Sequence, residues 1–277
     1  MTVTYHESLM KEGLAMRQKY VFLDVDGTLF TNKGELPDSA IKAMKRAHEN
    51  GHKIFLCTGR AKGEIPALLW GQGFDGAVCS AGAYVEAEGE VIHDVPMSKE
   101  QTMRLTTYFD THKFSYIYET YQGISGNKHA CDFFNMNVKR LKMMNKKLPD
   151  DFFGTLTIED KWDGVTPVYK MLFFSKEKAV AKLLTELGDA YTIVQNTLPI
   201  VGICSGEISA PGMHKARGIE QIMEFYGGSM EDTVAFGDGA NDYEMLDYVH
   251  LGIAMGNGAE SLKKIADMVT EPVDADG

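Results

Sequence analysis

Two carboxylates lie close together in the segment VFLDVDGTLF at residues 21–30, where Asp24 and Asp26 follow an apolar run. A strand that is apolar on both faces is typical of the middle of a parallel sheet, and open α/β folds bind ligands at the carboxyl ends of such strands. Gly27 lets the chain leave extended geometry, so both carboxylates can converge on one point. Two like charges at ~4 Å repel by about 4 kcal/mol at an effective dielectric of about 20, so the pair predicts a hard cation. For these two residues alone, the alternative interpretation is an acidic turn that caps the strand.

Polar residues also follow other strands and open helices of the same predicted sheet. Thr58 follows the strand KIFLC, and Asp238 ends the strand TVAFG. Lys215 opens a helix, and Asn241 with Asp242 begins another. Each of these residues alone is explained as well by a helix cap or a solvated charge. Together they predict a single site at one edge of the sheet.

The combined set meets the needs of phosphoryl transfer, which are an in-line nucleophile, positive charge around phosphorus and donors that hold the group. Asp24 is predicted to attack as a carboxylate and form an aspartyl-phosphate. Asp26 is predicted to protonate the leaving oxygen and then to deprotonate the attacking water. The donors predicted to hold phosphate oxygens are the Thr58 hydroxyl, backbone N–H groups at Gly59, the Lys215 ammonium and the Asn241 amide.

The charge of this set predicts a divalent metal. Four aspartates against one lysine leave three excess negative charges where a phosphate dianion must enter. Asp24 and Asp238 are predicted to share the metal, and Asp242 is predicted to anchor the site or act as an outer ligand. Mg2+ fits best, because it accepts one or two carboxylates, retains water and bridges a phosphate oxygen. A dedicated zinc site is disfavoured, because no His or Cys cluster accompanies these acids.

Alternating strand and helix patterns must position these residues. Three strand–helix repeats between residues 20 and 85 predict a parallel sheet, with a helix from about Gly63 to Gly71 before the third strand. From about Glu86 the pattern changes to an α+β unit with antiparallel hairpins, which includes EVIHDVP, FSYIYETY, VYKMLFFS and YTIVQNT. The strand–helix alternation returns at MHKARGIEQIMEFYG. One doubly wound α/β domain is therefore interrupted by a second domain.

Composition predicts a globular protein of one large or two ordinary domains, since the chain has 277 residues and 44% of them are hydrophobic. A formal net charge of -11 argues against nucleic acid or an anionic membrane as a partner. The cysteines lack C-x-x-C spacing and predict reduced thiols in a cytoplasmic protein. No apolar run approaches the roughly 20 residues of a membrane span, and the N-terminal segment lacks the apolar core of a signal peptide.

The residues DVDGTL, Thr58, Lys215 and GDGAND together resemble the four motifs of the haloacid dehalogenase (HAD) superfamily, in the same order. The interval from Asp24 to Thr58 is short and the interval from Thr58 to Lys215 is long, so the insertion lies in the second interval. This arrangement resembles the Cof-type phosphatases with a class IIB α/β cap. The segments GAYVE, GEISAPGMHK and AMGNGAESLKKIAD strengthen the resemblance, which spans nearly all of residues 20–277.

For this chain the resemblance implies a Rossmann-like core formed by residues 20–85 and 200–277, a cap formed by residues 86–199 and an N-terminal extension at residues 1–19. It also implies Mg2+, hydrolysis of small phosphate monoesters and the backbone carbonyl of Asp26 as a further metal ligand. Two departures from the family pattern are Ala81-Gly82, where relatives often carry Asn-Gly, and Ala216, where they often carry Gly.

The leading functional hypothesis is a Mg2+-dependent phosphatase of small phosphorylated metabolites, with sugar phosphates as the first choice of substrate. A sugar phosphomutase of the same cap class is the enzymatic alternative. It would need cap arginines for a second phosphate, and the insertion offers only Arg104 and Arg140. A phosphoacceptor switch is the non-enzymatic alternative, although the acid/base group at Asp26 and the large cap argue against it. The sequence leaves the oligomeric state open.

Overall fold

The computed structural model describes residues 17–147, 150, 156–158, 162–196 and 204–277. The strands of these residues are β1 (Tyr20–Leu23), β2 (Lys53–Cys57), β3 (Gly76–Cys79), β4 (Tyr84–Ala87), β5 (Glu90–Asp94), β6 (Ser115–Thr120), β7 (Gly123–Gly126), β8 (Leu156–Ile158), β9 (Val168–Ser175), β10 (Thr192–Asn196), β11 (Cys204–Ser209), β12 (Thr233–Gly237), β13 (Leu251–Ala254) and β14 (Met268–Val269). The helices are α1 (Asp38–Glu49), α2 (Ala67–Trp70), α3 (Lys99–Thr111), α4 (Lys128–Met144), α5 (Glu177–Leu187), α6 (Lys215–Tyr226), α7 (Tyr243–Tyr248) and α8 (Glu260–Lys263).

The first sheet has eight strands in the order β14-β13-β12-β1-β2-β3-β4-β5. Its strands from β14 to β3 are parallel, and β4 and β5 are antiparallel. Helix α1 packs on one face through Met44, and α6, α7 and α8 pack on the other through residues such as Ile219, Leu246 and Leu262. Strand β1 is apolar on both faces because it lies in the middle of this sheet. The expected doubly wound α/β core is confirmed.

The second sheet has six strands in the order β10-β11-β9-β6-β7-β8, and it is antiparallel except for the β7–β8 pair. Phe109 of α3 stacks on Tyr116 of β6, so α3 covers one face of this sheet. Phe134 of α4 packs against Ile117 and Ile124 on the other face. The inserted unit is therefore an α+β unit, as the alternating hydrophobic pattern predicts.

Strand pairing corrects the expected boundaries between the two units. β4 and β5 pair at the edge of the eight-stranded sheet, whereas β11 pairs within the six-stranded sheet. The chain therefore leaves the first sheet after Asp94 and the second sheet after Ser209, rather than at residues 86 and 200. The strand pattern of the segment EVIHDVP favours the inserted unit, but a parallel sheet also accepts antiparallel strands at its edge. Residues 1–16 of the expected N-terminal extension lie outside the described residues.

The helix expected from Gly63 to Gly71 is divided into two short segments. A 3₁₀ turn covers Lys62–Glu64, and α2 begins only at Ala67. Pro66 precedes α2, and a proline disfavours helical geometry at the residue before it and supplies no backbone donor. Ile65 accordingly has an extended backbone with φ -81° and ψ 117°.

All four cysteines are free thiols, and Cys57, Cys79 and Cys131 are buried. Burial raises the pKa of the Cys57 thiol above its ordinary value, so this thiol beside the predicted site stays protonated. Within the described residues, no helix combines the length and the apolar character that crossing a bilayer requires.

The turn at Ser80–Gly82 supports the chain that follows β2. Its first two N–H groups donate to the carbonyls of Arg60 and Thr58, at 2.8 and 3.1 Å respectively. All three turn residues have positive φ, at 48°, 54° and 98°. Of these residues only the glycine adopts such a conformation without a steric penalty, so the first two positions are strained.

Gly82 also lies against the start of α6. A Cβ at this position would lie 2.4 Å from the carbonyl oxygen of His214, the residue directly before the helix. Gly89, in the tight turn between β4 and β5, has φ 81° but open space around its α-carbon. The two glycines therefore share a backbone conformation and differ in their surroundings.

We expect Gly82→Ala to lower the free energy of unfolding by roughly 3 kcal/mol or more, because strain at positive φ adds to a collision with a main-chain oxygen. Gly89→Ala should lower it by only about 1 to 2 kcal/mol, which is the strain of positive φ alone. Urea unfolding followed by circular dichroism measures both losses. Equal losses for the two variants would contradict the close packing of this turn against α6.

Candidate active site

The carboxyl ends of β1, β2 and β12 bring predicted site residues to one edge of the core sheet. Asp24 follows β1, Thr58 follows β2 and Asp238 follows β12. The Asp24 N–H donates to the Phe236 carbonyl of β12 at 3.1 Å, which extends the pairing of the two strands beyond β1. Asp24 and Thr58 are buried, at 5% and 1% exposure. The parallel register therefore fixes the Asp24 and Asp238 loops side by side.

A glycine turn folds the Asp24 loop against the Asp238 carboxylate. Gly27 has φ 89°, and a Cβ at this position would lie 2.3 Å from Asp238 Oδ2. Thr28 Oγ1 donates to Asp238 Oδ1 at 3.3 Å, and Asn257 Nδ2 donates to the Gly27 carbonyl at 2.8 Å. Glycine is therefore required at position 27 both for the backbone conformation and for the space that the carboxylate occupies.

Lys215 is the buried cation of the site. It begins α6, it has no exposed surface, and its Nζ lies 2.5 Å from Asp24 Oδ1. The same Nζ also contacts Asp242 Oδ1. Burial disfavours the charged amine, but the two carboxylates outweigh burial and raise the pKa of Lys215 above its ordinary value. The ammonium therefore stays charged and joins α6 to the loops that follow β1 and β12.

Asp242 orients its neighbours and leaves no oxygen free. It is fully buried, and its Oδ1 contacts Lys215. Its Oδ2 accepts hydrogen bonds from the backbone N–H groups of Asp238 at 2.9 Å and Gly239 at 2.8 Å. Asp242 therefore holds the lysine and the loop after β12, and both of its oxygens already have partners.

The aspartates of the site carry more negative charge than Lys215 neutralises. Carboxylate oxygens of Asp24, Asp238 and Asp242 all lie within 4.8 Å of one another. Burial and the charge of Asp242 raise the pKa of Asp24 well above its ordinary value. Burial and the same neighbour raise the pKa of Asp238 to about 6. Carboxylate oxygens at this spacing, with more negative charge than Lys215 neutralises, fit a hard divalent cation.

Arg60 is a partner of Asp26 that sequence reasoning missed. Arg60 Nε and Nη2 donate to the two oxygens of Asp26, at 2.8 and 2.7 Å, and Nη1 donates to the Glu64 carbonyl at 2.9 Å. Desolvation raises the pKa of Asp26, but the charge and hydrogen bonds of Arg60 outweigh it, and the pKa falls below its ordinary value. A single arginine after a strand carries no signal in the sequence, because this pair forms only when two loops meet.

Thr58, Gly59 and Asn241 lie where an anion can be held. Thr58 Oγ1 accepts a hydrogen bond from the Arg60 N–H at 3.1 Å, which leaves its hydroxyl proton available to a ligand. A Cβ at Gly59 would lie 3.4 Å from both Asn241 Nδ2 and Lys170 Nζ. The side-chain amide of Asn241 and the ammonium of Lys170 therefore approach this glycine from different parts of the chain.

A cavity of about 620 Å³ opens between the two sheets. Six predicted site residues line its core side, namely Asp24, Asp26, Thr58, Gly59, Asp238 and Asn241. The other two, Lys215 and Asp242, are buried and contact each other, and Lys215 also contacts Asp24. The structure thus brings all eight predicted residues to one place.

The inserted unit supplies cavity residues that sequence reasoning did not single out. Glu119, Lys170, Leu172, Phe174, Ser205 and Glu207 line the cavity from its sheet, and Phe133, Phe134 and Asn137 line it from α4. On the same strands Tyr116, Tyr118, Met171 and Phe173 face the apolar core instead. Strand alternation separates these two sets, but the sequence alone does not say which set faces the site.

Comparisons with known proteins agree with this geometry. A family model described as haloacid dehalogenase-like hydrolase matches residues 21–277. The Bacillus subtilis protein YkrA is 29% identical over 270 residues, which cover 95% of this chain and 95% of YkrA. The Bacillus subtilis protein YitU, named 5-amino-6-(5-phospho-D-ribitylamino)uracil phosphatase, is 26% identical over 270 residues, which cover 93% of each chain. The solved structure of the HAD subclass IIB sugar phosphatase BT4131 has a TM-score of 0.77 and 28% identity, and the match covers 94% of this chain and 96% of that chain.

The family match includes every predicted site residue, since all of them lie within residues 21–277. The structural match covers the inserted unit together with the core sheet, and it therefore identifies that unit as a cap. The family and fold expected from the motifs are confirmed: the chain belongs to the haloacid dehalogenase-like hydrolases and is one of their phosphatases.

Proposed function

We propose that the protein is a Mg2+-dependent phosphatase that hydrolyses small phosphorylated metabolites through an aspartyl-phosphate, with sugar phosphates as the first choice of substrate. The observation that carries this proposal is the contact of Lys215 with Asp24 at the floor of a cavity that Asn241 also lines. A carboxylate held by a buried ammonium, beside donors suited to a phosphate, is well placed to attack phosphorus.

In the first half of the proposed reaction, the Asp24 carboxylate attacks phosphorus and the ester P–O bond breaks. The leaving oxygen takes a proton from Asp26. The carboxyl of Asp26 that is paired with Arg60 is ionised, so Asp26 must leave Arg60 and take up a proton from solvent before the ester bond breaks. In the second half Asp26 takes a proton from water, the water oxygen attacks phosphorus, and the bond to Asp24 breaks. Inorganic phosphate leaves, and both carboxyl groups return to their starting forms.

The groups proposed to hold the phosphate are the Thr58 hydroxyl, the Gly59 N–H, the Lys215 ammonium and the Asn241 amide. Thr58 and Gly59 precede Arg60 in a loop that the Ser80–Gly82 turn supports. Lys215 lies beneath Asp24, so its charge acts on the phosphate at the position of attack. Donors fixed in this way cost little reorganisation when charge develops on the phosphoryl group.

Asp24, Asp238 and the backbone carbonyl of Asp26 are the groups proposed to hold Mg2+. The bound ion would supply positive charge that neutralises the carboxylates and the phosphate oxygens. Asp242 is outside this direct set, because Lys215 and two backbone N–H groups engage its oxygens. The raised pKa values of Asp24 and Asp238 support a cation at this position.

The cap favours hydrolysis over the phosphomutase alternative. A mutase must hold a second phosphate, which arginine side chains suit. Among the described residues that line the cavity, the cap contributes the cation Lys170, which is already paired with two glutamates. Arg104 and Arg140 line two other surface depressions. The phosphoacceptor switch is disfavoured as well, because Asp26 beside the nucleophile would promote hydrolysis of the acyl phosphate.

The names of two relatives support a small-molecule substrate without selecting one. YitU is named for a phosphorylated ribitylamino-uracil, and BT4131 is named a sugar phosphatase. A cytoplasmic location is also part of the proposal, and the four free thiols support it.

We expect Asp24→Asn to lower the hydrolysis of p-nitrophenyl phosphate by at least about a thousandfold, because the nucleophile is lost. Asp26→Asn should instead release one equivalent of p-nitrophenol in a burst, followed by slow turnover. The reason is that p-nitrophenolate leaves without a proton, whereas the water that attacks next still needs a base. Rapid-mixing absorbance measures the burst.

The matched control is Asp247→Asn, at an exposed position on α7, which should retain wild-type turnover. Wild-type turnover by Asp24→Asn would contradict the aspartyl-phosphate. A burst equal to that of Asp26→Asn in the Asp24→Asn variant would contradict the assigned nucleophile.

Mg2+ should raise the melting temperature of the wild-type protein by roughly 5 °C or more once its concentration exceeds its dissociation constant by about a hundredfold. Asp238→Asn should lose most of this rise, because a carboxylate ligand is removed, and Asp247→Asn should retain it. Calorimetry of EDTA-treated protein with and without MgCl2 measures the shift. A wild-type melting temperature that does not change when Mg2+ is added would contradict this metal site.

A further inference from the structure

The cavity carries a group of ionisable residues where the cap meets the core, which we name the glutamate cluster: the cap residues Lys170, Glu119 and Glu207 with the core residue Glu64. Lys170 is buried, and its Nζ lies 2.8 Å from Glu207 Oε2 and 3.2 Å from Glu119 Oε2. The same Nζ donates to the Gly59 carbonyl at 2.6 Å. The glutamate cluster therefore lies directly beside the loop proposed to hold the phosphate, where the leaving group of a bound ester begins.

The glutamate cluster has more negative than positive charge. The carboxylates of Glu119 and Glu207 flank the one ammonium, and Glu64 adds a third carboxylate whose Oε2 accepts from the Ala61 N–H. The guanidinium of Arg60 is engaged by Asp26 and by the Glu64 carbonyl. Burial, followed by the charge of Glu64, raises the pKa of Glu119 well above its ordinary value, and burial also raises the pKa of Glu64. Burial is the first cause of both shifts, so a further buried negative charge at this position is unfavourable.

Glu119 lies in the cavity wall, and one of its carboxylate oxygens is buried without a hydrogen bond. Its residue exposure is 2%, and among the described residues its Oε2 has no hydrogen bond and only the ion pair with Lys170. A buried polar atom without a hydrogen bond is costly, so a site built this way favours a ligand that supplies a donor. A hydroxyl group of a substrate supplies that donor.

The wall beside the glutamate cluster is apolar. Leu172 and Phe174 continue the cavity face of β9, and Phe133 and Phe134 approach it from α4. Such a surface suits the C–H groups of a carbon chain or ring and gives no compensation to a charged group. Among the described residues that line the cavity, the cations are Arg60 and Lys170, and both are already paired.

We propose that the glutamate cluster selects phosphate esters whose leaving group is uncharged and hydroxylated, and rejects esters whose leaving group carries a carboxylate or a second phosphate. Hydroxyl groups donate to Glu119 and Glu207, and the neighbouring C–H groups lie on the apolar wall. An anionic leaving group is repelled by the excess carboxylates, because like charges at a binding surface oppose association. This selection rests on the proposed phosphatase function, and it adds the chemical class of the leaving group.

The test uses two esters of the same six-carbon chain, sorbitol 6-phosphate and 6-phosphogluconate, whose far ends are a hydroxymethyl group and a carboxylate. Each ester is measured as a competitive inhibitor of p-nitrophenyl phosphate hydrolysis, so the comparison does not require that either ester be turned over. We expect the inhibition constant of 6-phosphogluconate to be about tenfold or more above that of sorbitol 6-phosphate. The ratio of the two constants cancels effects on phosphate binding.

Glu119→Gln and Glu207→Gln are the test variants, because each removes a negative charge and keeps an acceptor oxygen of similar size. Each should lower the ratio of inhibition constants by about threefold to tenfold, chiefly through tighter binding of 6-phosphogluconate. Glu177→Gln, at an exposed position on the cap helix α5, is the matched control and should keep the wild-type ratio. Two variants are measured so that the test still gives a result if one of them fails to fold.

A wild-type ratio near one, or a ratio that neither glutamine variant changes, would overturn the selection while hydrolysis of p-nitrophenyl phosphate still supports the phosphatase. A wild-type protein that hydrolyses no p-nitrophenyl phosphate in the presence of Mg2+ would overturn the proposed function, and the selection would fall with it. The two failures are therefore distinguished by one assay.

Discussion

The burial of Lys215 between two aspartates is the constraint on which the rest of the site depends. An ammonium without exposed surface is stable only when carboxylates surround it, so α6 and the loops after β1 and β12 must meet. The surrounding backbone is shaped by the same contact. Gly237 shows this, since a Cβ there would lie 2.6 Å from the carboxyl carbon of Asp242. Charge pairing at one point thus dictates glycine at positions remote from the lysine in sequence.

The cavity lies between two acidic groups that differ in their surroundings. On the core side, Asp24 and Asp238 have carboxylate oxygens within 4.8 Å of each other, a spacing that suits the divalent cation proposed above. On the cap side, Glu119 and Glu207 share Lys170, and the adjoining wall is apolar. The two ends therefore suit different parts of one ester: a charged head and an uncharged tail.

The sequence predicts the core and its chemistry well because both depend on local patterns. Apolar strands that end in Asp24, Thr58 and Asp238 must bring those residues to one sheet edge, and the structure does so. The division between the units was less predictable, because the sequence pattern of the β4–β5 hairpin is the same whichever of the two sheets it joins. The split of the expected helix at Pro66 was readable, since proline acts on its immediate neighbours.

The Arg60 pair and the cap residues of the cavity depend on contacts between distant segments. Arg60 meets Asp26 only when two loops fold against each other. Lys170 and Glu119 occupy strand positions that alternate with core aromatics, and either face of the cap sheet could have been turned toward the core. The periodicity of the strands does not show which face lies toward the core, because that depends on how the cap docks on the core.

The bond from Lys170 to the Gly59 carbonyl links the cap to the strand end that the core uses for its own chemistry. Movement of the cap away from the core would break that bond and expose the Gly59 carbonyl oxygen to water. Lys170 would keep its ion pairs with Glu119 and Glu207, which lie on the same sheet. Displacement of the cap would therefore also release the loop that carries Thr58 and Gly59 from one of its main-chain contacts.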